Sequence, residues 1–165
     1  MNVLIVGCGR VGATLAGILD AEGHGVTTID TDRASFAHLP ATYKGATFLG
    51  NGSDIDVLRQ NGIGKVDAFL ALTQGDNRNL MAAQIAKEIF GVKRVFAKVN
   101  DPIRSEIYRE KGITTISRTT ILAVLLHAML KDERDVGEIL LQRTLKLERQ
   151  MAGAEAADAP VAAKR

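Results

Sequence analysis

The sequence predicts an α/β domain built on a doubly wound, six-stranded parallel sheet with helices on both faces. Three observations carry this. Short apolar runs alternate with longer amphipathic segments six times in about 131 of the 165 residues. The connections between them are short, as expected where right-handed crossovers join parallel strands. At the first junction, "VGCGRVGAT" (6–14) sets Gly7, Gly9 and Gly12 between an apolar run and a helical pattern.

"NVLIVG" (2–7) reads as a buried strand and "RVGATLAGILDAEG" (10–23) as a helix. In that helix Val11, Leu15, Ile18 and Leu19 recur at three- and four-residue spacing, and Gly23 stops it. "GVTTID" (25–30) is the second strand, and "DRASFAHL" (32–39) a short helix halted before Pro40. "ATFLG" (46–50) is the third strand; "SDIDVLRQNG" (53–62) is a helix opening on Ser53 as a plausible N-cap and closing on a glycine. The alternation then repeats. "DAFLALT" (67–73) is a strand, "DNRNLMAAQIAKEIFG" (76–91) a helix and "VKRVFAKV" (92–99) a strand. "DPIRSEIYREKG" (101–112) is a helix capped by Asp101, with Pro102 in the first turn, where proline is favoured. "ITTIS" (113–117) and "TTILAVLLHAMLKD" (119–132) are the last strand and helix.

One domain is therefore expected over residues 1–132, with an extension over 133–165. "ERDVGEILLQRTLKLERQ" (133–150) fits a helix, or a strand at "TLKLE", and periodicity does not decide. Residues 152–165 hold seven alanines in fourteen and are expected to be a disordered tail or the edge of a truncated chain.

Composition narrows the function. Hydrophobic residues make up 46% and charged residues 24%, ordinary for a soluble globular protein. Twenty-one Lys and Arg against 19 Asp and Glu leave a net charge of +2, which neither demands nor excludes a charged partner. Cys8 is the single cysteine, which rules out an intrachain disulfide or a multi-cysteine metal site. No signal-peptide pattern opens the chain. The longest apolar stretch, "ILAVLLHAML" (121–130), has ten residues, against about twenty for a bilayer span. A soluble, cytoplasmic chain is expected.

The three glycines answer to physical requirements. Gly7 permits a tight turn, Gly9 lets a pyrophosphate approach bare backbone, and Gly12 lets helix and strand pack closely. Free N–H groups of the first helical turn then face the phosphates, aided by the helix dipole. Asp30 ends the second strand 18 residues past Gly12, where a carboxylate accepts from a ribose diol and repels a 2′-phosphate. It favours NAD or an adenine nucleotide over NADP, without separating NAD from ATP or ADP.

Other residues at strand carboxyl ends line the same expected crevice. Arg10 lies in the first helical turn, either beside phosphates or as a solvated surface arginine. Asn51, Gly52 and Ser53 follow the third strand, Thr73 ends the fourth, and Asp76 and Asn79 begin its helix. Capping accounts equally well for Ser53 and Asp76. Lys98 is a phosphate ligand or an edge charge. Cys8 reads as a small residue in a crowded loop, although a helix N-terminus lowers thiol pKa.

Hydride transfer needs an acid–base residue near the nicotinamide. Tyr108 and Lys111 are one residue too close for a Tyr-x-x-x-Lys pair, and His24, His38 and His127 avoid strand carboxyl ends. The sequence therefore argues against catalysis. A small NAD-dependent oxidoreductase remains the alternative. An NAD-sensing transcription regulator is the third; it would need a basic recognition helix, and no segment clusters Lys and Arg that way.

Across about residues 1–131, "VLIVGCGRVGATLAGIL", "VTTIDTDRASF", "ATFLGNGSDIDVLRQNGI", "VDAFLALTQGDNRNLMAAQIAKEIFGVKRVFAKVNDP" and "EKGITTIS" resemble the RCK N-terminal (TrkA-N) domain. The ordered set, including T-x-x-D-x-x-N at 73–79, is more specific than the glycines alone. The resemblance implies a Rossmann-type fold and a cytoplasmic regulatory subunit, peripheral to the inner membrane through a potassium transporter or channel. It implies NAD(H) or ATP/ADP placed by Gly7, Gly9, Gly12 and Asp30, with Arg10, Val11, Thr31, Arg33, Asn51, Gly52, Ser53, Thr73, Asp76, Asn79 and Lys98 completing the binding set. In relatives the arginine at the position of Arg10 reaches the terminal phosphate of a neighbouring subunit's nucleotide. Members dimerise and often form eight-domain rings. Asn51 stands where many relatives have Asp, and Lys98 where many have Arg. Residues 132–165 are too few for the usual second, C-terminal RCK domain. Independently, "ILAVLLHAML" is apolar nearly all round, so helix 119–132 is either a dimerisation helix or a wholly buried core helix.

Overall fold

A computed structural model describes residues 1–131. The expectations for residues 133–165 lie outside the described residues. The chain divides into two compact units, Met1–Thr119 and Thr120–Arg165.

The first unit carries the expected sheet. β1 (Asn2–Val6), β2 (Gly25–Asp30), β3 (Ala46–Leu49), β4 (Ala68–Ala71), β5 (Arg94–Lys98) and β6 (Thr114–Ile116) lie in the order β3-β2-β1-β4-β5-β6. Every pairing is parallel. β1 sits at the centre, with Val3 opposite Val26 on one side and Ala68 on the other. The winding order reverses between β1 and β4, and a crevice opens outside their carboxyl ends at such a reversal.

β1 reads as an unbroken apolar run because both its faces are covered. Leu4 and Val6 join a cluster with Leu58, Phe69, Leu80 and Val95, whereas Val3 and Ile5 join Ala16 and Val26 on the other face. The first cluster takes Leu58 from α2 (Ile55–Gln60) and Leu80 from α3 (Asp76–Gln84); the second takes Ala16 from α1 (Arg10–Ala21). Alternate β1 side chains thus meet helices above and below the sheet, which confirms the doubly wound reading.

Several element ends differ from expectation. Residues Arg33–His38 form a 3₁₀ helix rather than an α-helix, with the Asp32 carboxylate accepting from Ala34 N at 3.0 Å. The helix expected over 76–91 ends its α geometry at Gln84 and widens into a π turn over Ile85–Ile89. Phe90 N there donates to Ile85 O at 3.3 Å, and Ile85 and Ala86 are both buried. A short 3₁₀ turn, Ile63–Lys65, was not foreseen.

Ser53 does not cap α2. Asn51 Oδ1 accepts from Ser53 N at 3.0 Å, which folds the loop into an Asx turn and moves the helix start onward. Asp54 is the cap, accepting from Asp56 N at 2.8 Å and Val57 N at 3.3 Å. Asp101 caps α4 (Pro102–Glu110), with Pro102 in its first turn, as expected. Gly23 takes φ +81° just after α1, the left-handed position where a side chain is strained.

α5 (Arg118–Leu130) follows β6. Its Ile121, Leu122, Val124, Leu126, Met129 and Leu130 are exposed. No helix among the described residues is long and apolar enough to cross a membrane.

At Gly12 the helix touches the strand's end. A Cβ there would run into the carbonyl oxygen of Gly7, a backbone atom with no rotamer to yield. Gly12→Ala should therefore cost about 1–3 kcal/mol or more. Gly9, whose Cβ position is open, should accept alanine with little change in thermal midpoint. Thermal denaturation of the two variants side by side checks the contrast, and equal midpoints would contradict it.

Candidate functional site

A cleft of about 790 Å³ opens at the carboxyl ends of the strands. Its lining joins Gly7, Gly9, Arg10 and Val11 to Asp30, Thr31, Asn51, Gly52, Ser53, Thr73 and Lys98. Those eleven of the sequence-predicted residues are brought to one surface. Gly12, Arg33, Asp76 and Asn79 are not among its lining residues.

The glycine loop forms because the backbone must turn under β4. Gly7 has φ +103°, and a Cβ on it would stand 2.7 Å from Thr73 N and 2.8 Å from the Leu72 carbonyl carbon. Gly7 N donates to Ile29 O at 2.8 Å, which holds the loop beside β2. At Gly9 nothing lies within 4 Å of the Cβ position, so bare backbone faces the opening. Gly9 is also the N-cap of α1 and offers no side chain to the first-turn N–H groups. Those donors are left for a ligand or solvent. Gly52 is required on the far side, where a Cβ would collide with Val6 Cγ1.

Asp30 is clasped by backbone amides. Its Oδ2 accepts from Cys8 N at 2.6 Å and its Oδ1 from Asp32 N at 2.9 Å. Each oxygen has further lone-pair capacity, so the carboxylate is oriented without being saturated. The geometry fits a diol presented from the cleft. Cys8 lies behind it, fully buried. Burial first, and the neighbouring Asp30 charge second, push the thiol up to about 11. Cys8 is therefore a protonated small residue at neutral pH, and the helix terminus does not lower its pKa.

The T-x-x-D-x-x-N segment does another job from the one the sequence suggested. Asn79 is 0% exposed, and its Oδ1 accepts from Thr73 N at 2.8 Å and Thr73 Oγ1 at 2.7 Å. Its Nδ2 donates to Thr73 O at 3.0 Å and Lys98 O at 2.8 Å. Two acceptances and two donations exhaust a carboxamide, leaving nothing for a ligand. Asn79 stitches the ends of β4 and β5 together. Asp76 Oδ2 accepts from Asn100 N at 2.9 Å and Asp101 N at 3.0 Å, tying down the loop after β5; the α3 cap position is Gly75.

The lining also includes Asp32, Ser35, Gln74, Arg78, Asn100 and Arg118, which sequence reasoning missed. The available signal was position, since each follows the carboxyl end of a strand. Four cations, Arg10, Arg78, Lys98 and Arg118, share the cleft with Asp30 and Asp32. Among the described residues the ion pairs are His24–Glu22, Arg59–Asp56 and Arg104–Asp101, and none includes these four. Burial and the nearby Arg118 charge hold Lys98 below its ordinary pKa, with Asp76 opposing.

A parallel sheet with a glycine turn at its switch point and a carboxylate one strand away defines a Rossmann-type domain. The chain belongs to the TrkA-N domain family, whose profile matches residues 3–119. It is 45% identical over 117 residues to the Trk system potassium uptake protein TrkA of Streptomyces coelicolor, which covers 71% of this chain and 52% of that protein. The chain thus spans about half that relative's length. Among solved structures, the Shewanella denitrificans Kef CTD in AMP-bound form superimposes with a TM-score of 0.66 at 18% identity, covering 95% of this chain and 98% of that one. The GsuK channel bound to NAD gives 0.58 at 19% identity, covering 70% and 21%. Both share this fold.

Two measurements test the local chemistry. Asn79→Leu, which strands Thr73 N, Thr73 O and Lys98 O, should cost about 1–3 kcal/mol; an unchanged urea midpoint would refute the stitching role. For Cys8, the folded chain keeps a proton that the unfolded chain releases above its ordinary value of 9.0. Stability linked to it is full below that value and falls as pH rises from about 9 towards 11. Cys8→Ala should flatten that alkaline loss in pH-dependent denaturation.

Proposed function

We propose that this chain is the nucleotide-binding regulatory domain of a membrane potassium-uptake system. The observation that carries the reading is the Asp30 carboxylate, held by Cys8 N and Asp32 N at the edge of the cleft beside the bare backbone of Gly9. In this reading Asp30 accepts from the adenosine ribose, while Gly7, Gly9 and the first-turn amides of α1 take the phosphates. Thr31, Asn51, Gly52 and Ser53 border the adenosine side. Thr73 and Lys98 border the other side, and the exposed Arg10 offers its guanidinium to phosphate oxygens of its own ligand or a neighbour's. Val11 gives an apolar floor at the helix start. Arg33, Asp76 and Asn79 are not among the residues that line this surface.

The family supports the transport role, since relatives are named potassium uptake proteins. The AMP and NAD carried by the Kef and GsuK structures favour NAD(H), ATP or ADP as the ligand class here. No histidine or tyrosine is among the described residues that line the cleft. The reading accordingly assigns it binding rather than hydride transfer. The exposed apolar residues of α5 supply a surface for a second copy of the chain, and hence a cytoplasmic dimer or larger ring attached to a membrane transporter or channel. A bound nucleotide then acts only through unequal affinity for two states of that assembly.

Titration calorimetry with ATP, ADP, NAD and NADH tests the site. Asp30→Ala should weaken every one of them by about tenfold or more, because each loses a charge-assisted contact to the same ribose. Wild-type affinity in a variant with an unshifted thermal midpoint would reject the reading. Identification by mass spectrometry of the nucleotide that copurifies names the ligand directly.

A further inference from the structure

The cleft is electrically lopsided. Its acids, Asp30 and Asp32, stand at the end of β2 and just beyond it. Arg78, Lys98 and Arg118 stand on the opposite flank, in α3, at the end of β5 and at the start of α5. In the sheet order β2-β1-β4-β5-β6, the glycine loop lies between the two groups. Each strand step is about 4.8 Å; Arg78 follows β4, one step beyond the loop, and Lys98 ends β5, two steps beyond it.

Three cations gathered on one flank, with no ion-paired acid among the described residues, repel one another. A bound anion relieves that repulsion. The packing agrees with the crowding: burial first and the nearby Arg118 charge second hold the Lys98 ammonium below its ordinary pKa, with Asp76 opposing. Gln74 and Asn100 line the same flank and supply neutral amide groups. Arg78 and Arg118 are exposed, and neither is needed by the core.

We propose that Arg78 and Arg118, with Lys98, form an anion subsite that binds the distal phosphates of an adenosine polyphosphate. This rests on the nucleotide reading above and deepens it. A ligand whose ribose is held at Asp30 and whose first phosphate lies on the glycine loop extends its remaining phosphates towards β4 and β5. Arginine suits the task because its planar donor fork meets two phosphate oxygens at once. AMP ends before the subsite. NAD⁺ brings a cationic nicotinamide ring to this flank, where it gains nothing from three like charges.

The test is titration calorimetry on the full chain with AMP, ADP, ATP and NAD⁺ at fixed salt, in wild type and in the Arg78→Gln/Arg118→Gln double variant. Arg94→Gln removes the same type of charge from the amino end of β5 and serves as the control. The expected wild-type order is ATP, then ADP, then AMP. The double variant should weaken ATP by about tenfold and leave AMP and NAD⁺ within about twofold, while the control changes none of them. Equal wild-type affinity for AMP and ATP, or equal losses for both in the double variant, overturns the subsite and leaves the nucleotide reading standing. If wild type binds no nucleotide at all, the reading and the subsite fall together.

Discussion

The close approach of α1 to the end of β1 is the constraint on which the cleft depends. At Gly12 there is no room for one carbon atom beside the Gly7 carbonyl. Because the helix comes so near, its first turn opens over the end of the central strand, and the loop between them is short and sharply turned. That turn aims Cys8 N at Asp30. The carboxylate is thereby fixed by the same backbone segment that leaves Gly9 bare. Helix packing and carboxylate orientation are one geometric fact seen from two sides.

A second tie governs the other half of the rim. Asn79 uses its whole carboxamide to join Thr73 at the end of β4 to the Lys98 carbonyl at the end of β5. Asp76 holds the backbone that follows. Neither side chain needs to meet a ligand to matter for binding, because both set where the residues that line the cleft stand. The short T-x-x-D-x-x-N pattern is a brace for the switch point.

The sheet was legible because apolar runs of strand length alternated with helical periodicity, and β1 was apolar on both faces for a reason the structure bears out. Gly7 and Gly12 were legible because each answers to a steric demand of the chain itself, whereas the Cβ position at Gly9 is open. The roles of Asp76 and Asn79 were not, since a polar residue at a helix start looks the same in sequence whether it faces the cleft or turns inward. Ser53 was misread because the Asx turn at Asn51 shifts a helix start by one residue without changing the residue types. Arg78 and Arg118 were missed for a different reason. They lie 40 residues apart and line one cleft because the elements that carry them follow strands ending on the same rim.

The separation of acids from bases along that rim gives the cleft a built-in direction. Under the nucleotide reading proposed above, a molecule with an uncharged hydroxylated end and an anionic end would feel an orienting field before any contact forms, and would enter sugar towards β2. Turned around, its anionic end would face Asp30 and Asp32, and its hydroxyls would face guanidinium groups. In that reading the rim is a keyed socket, suited to one polarity of the guest.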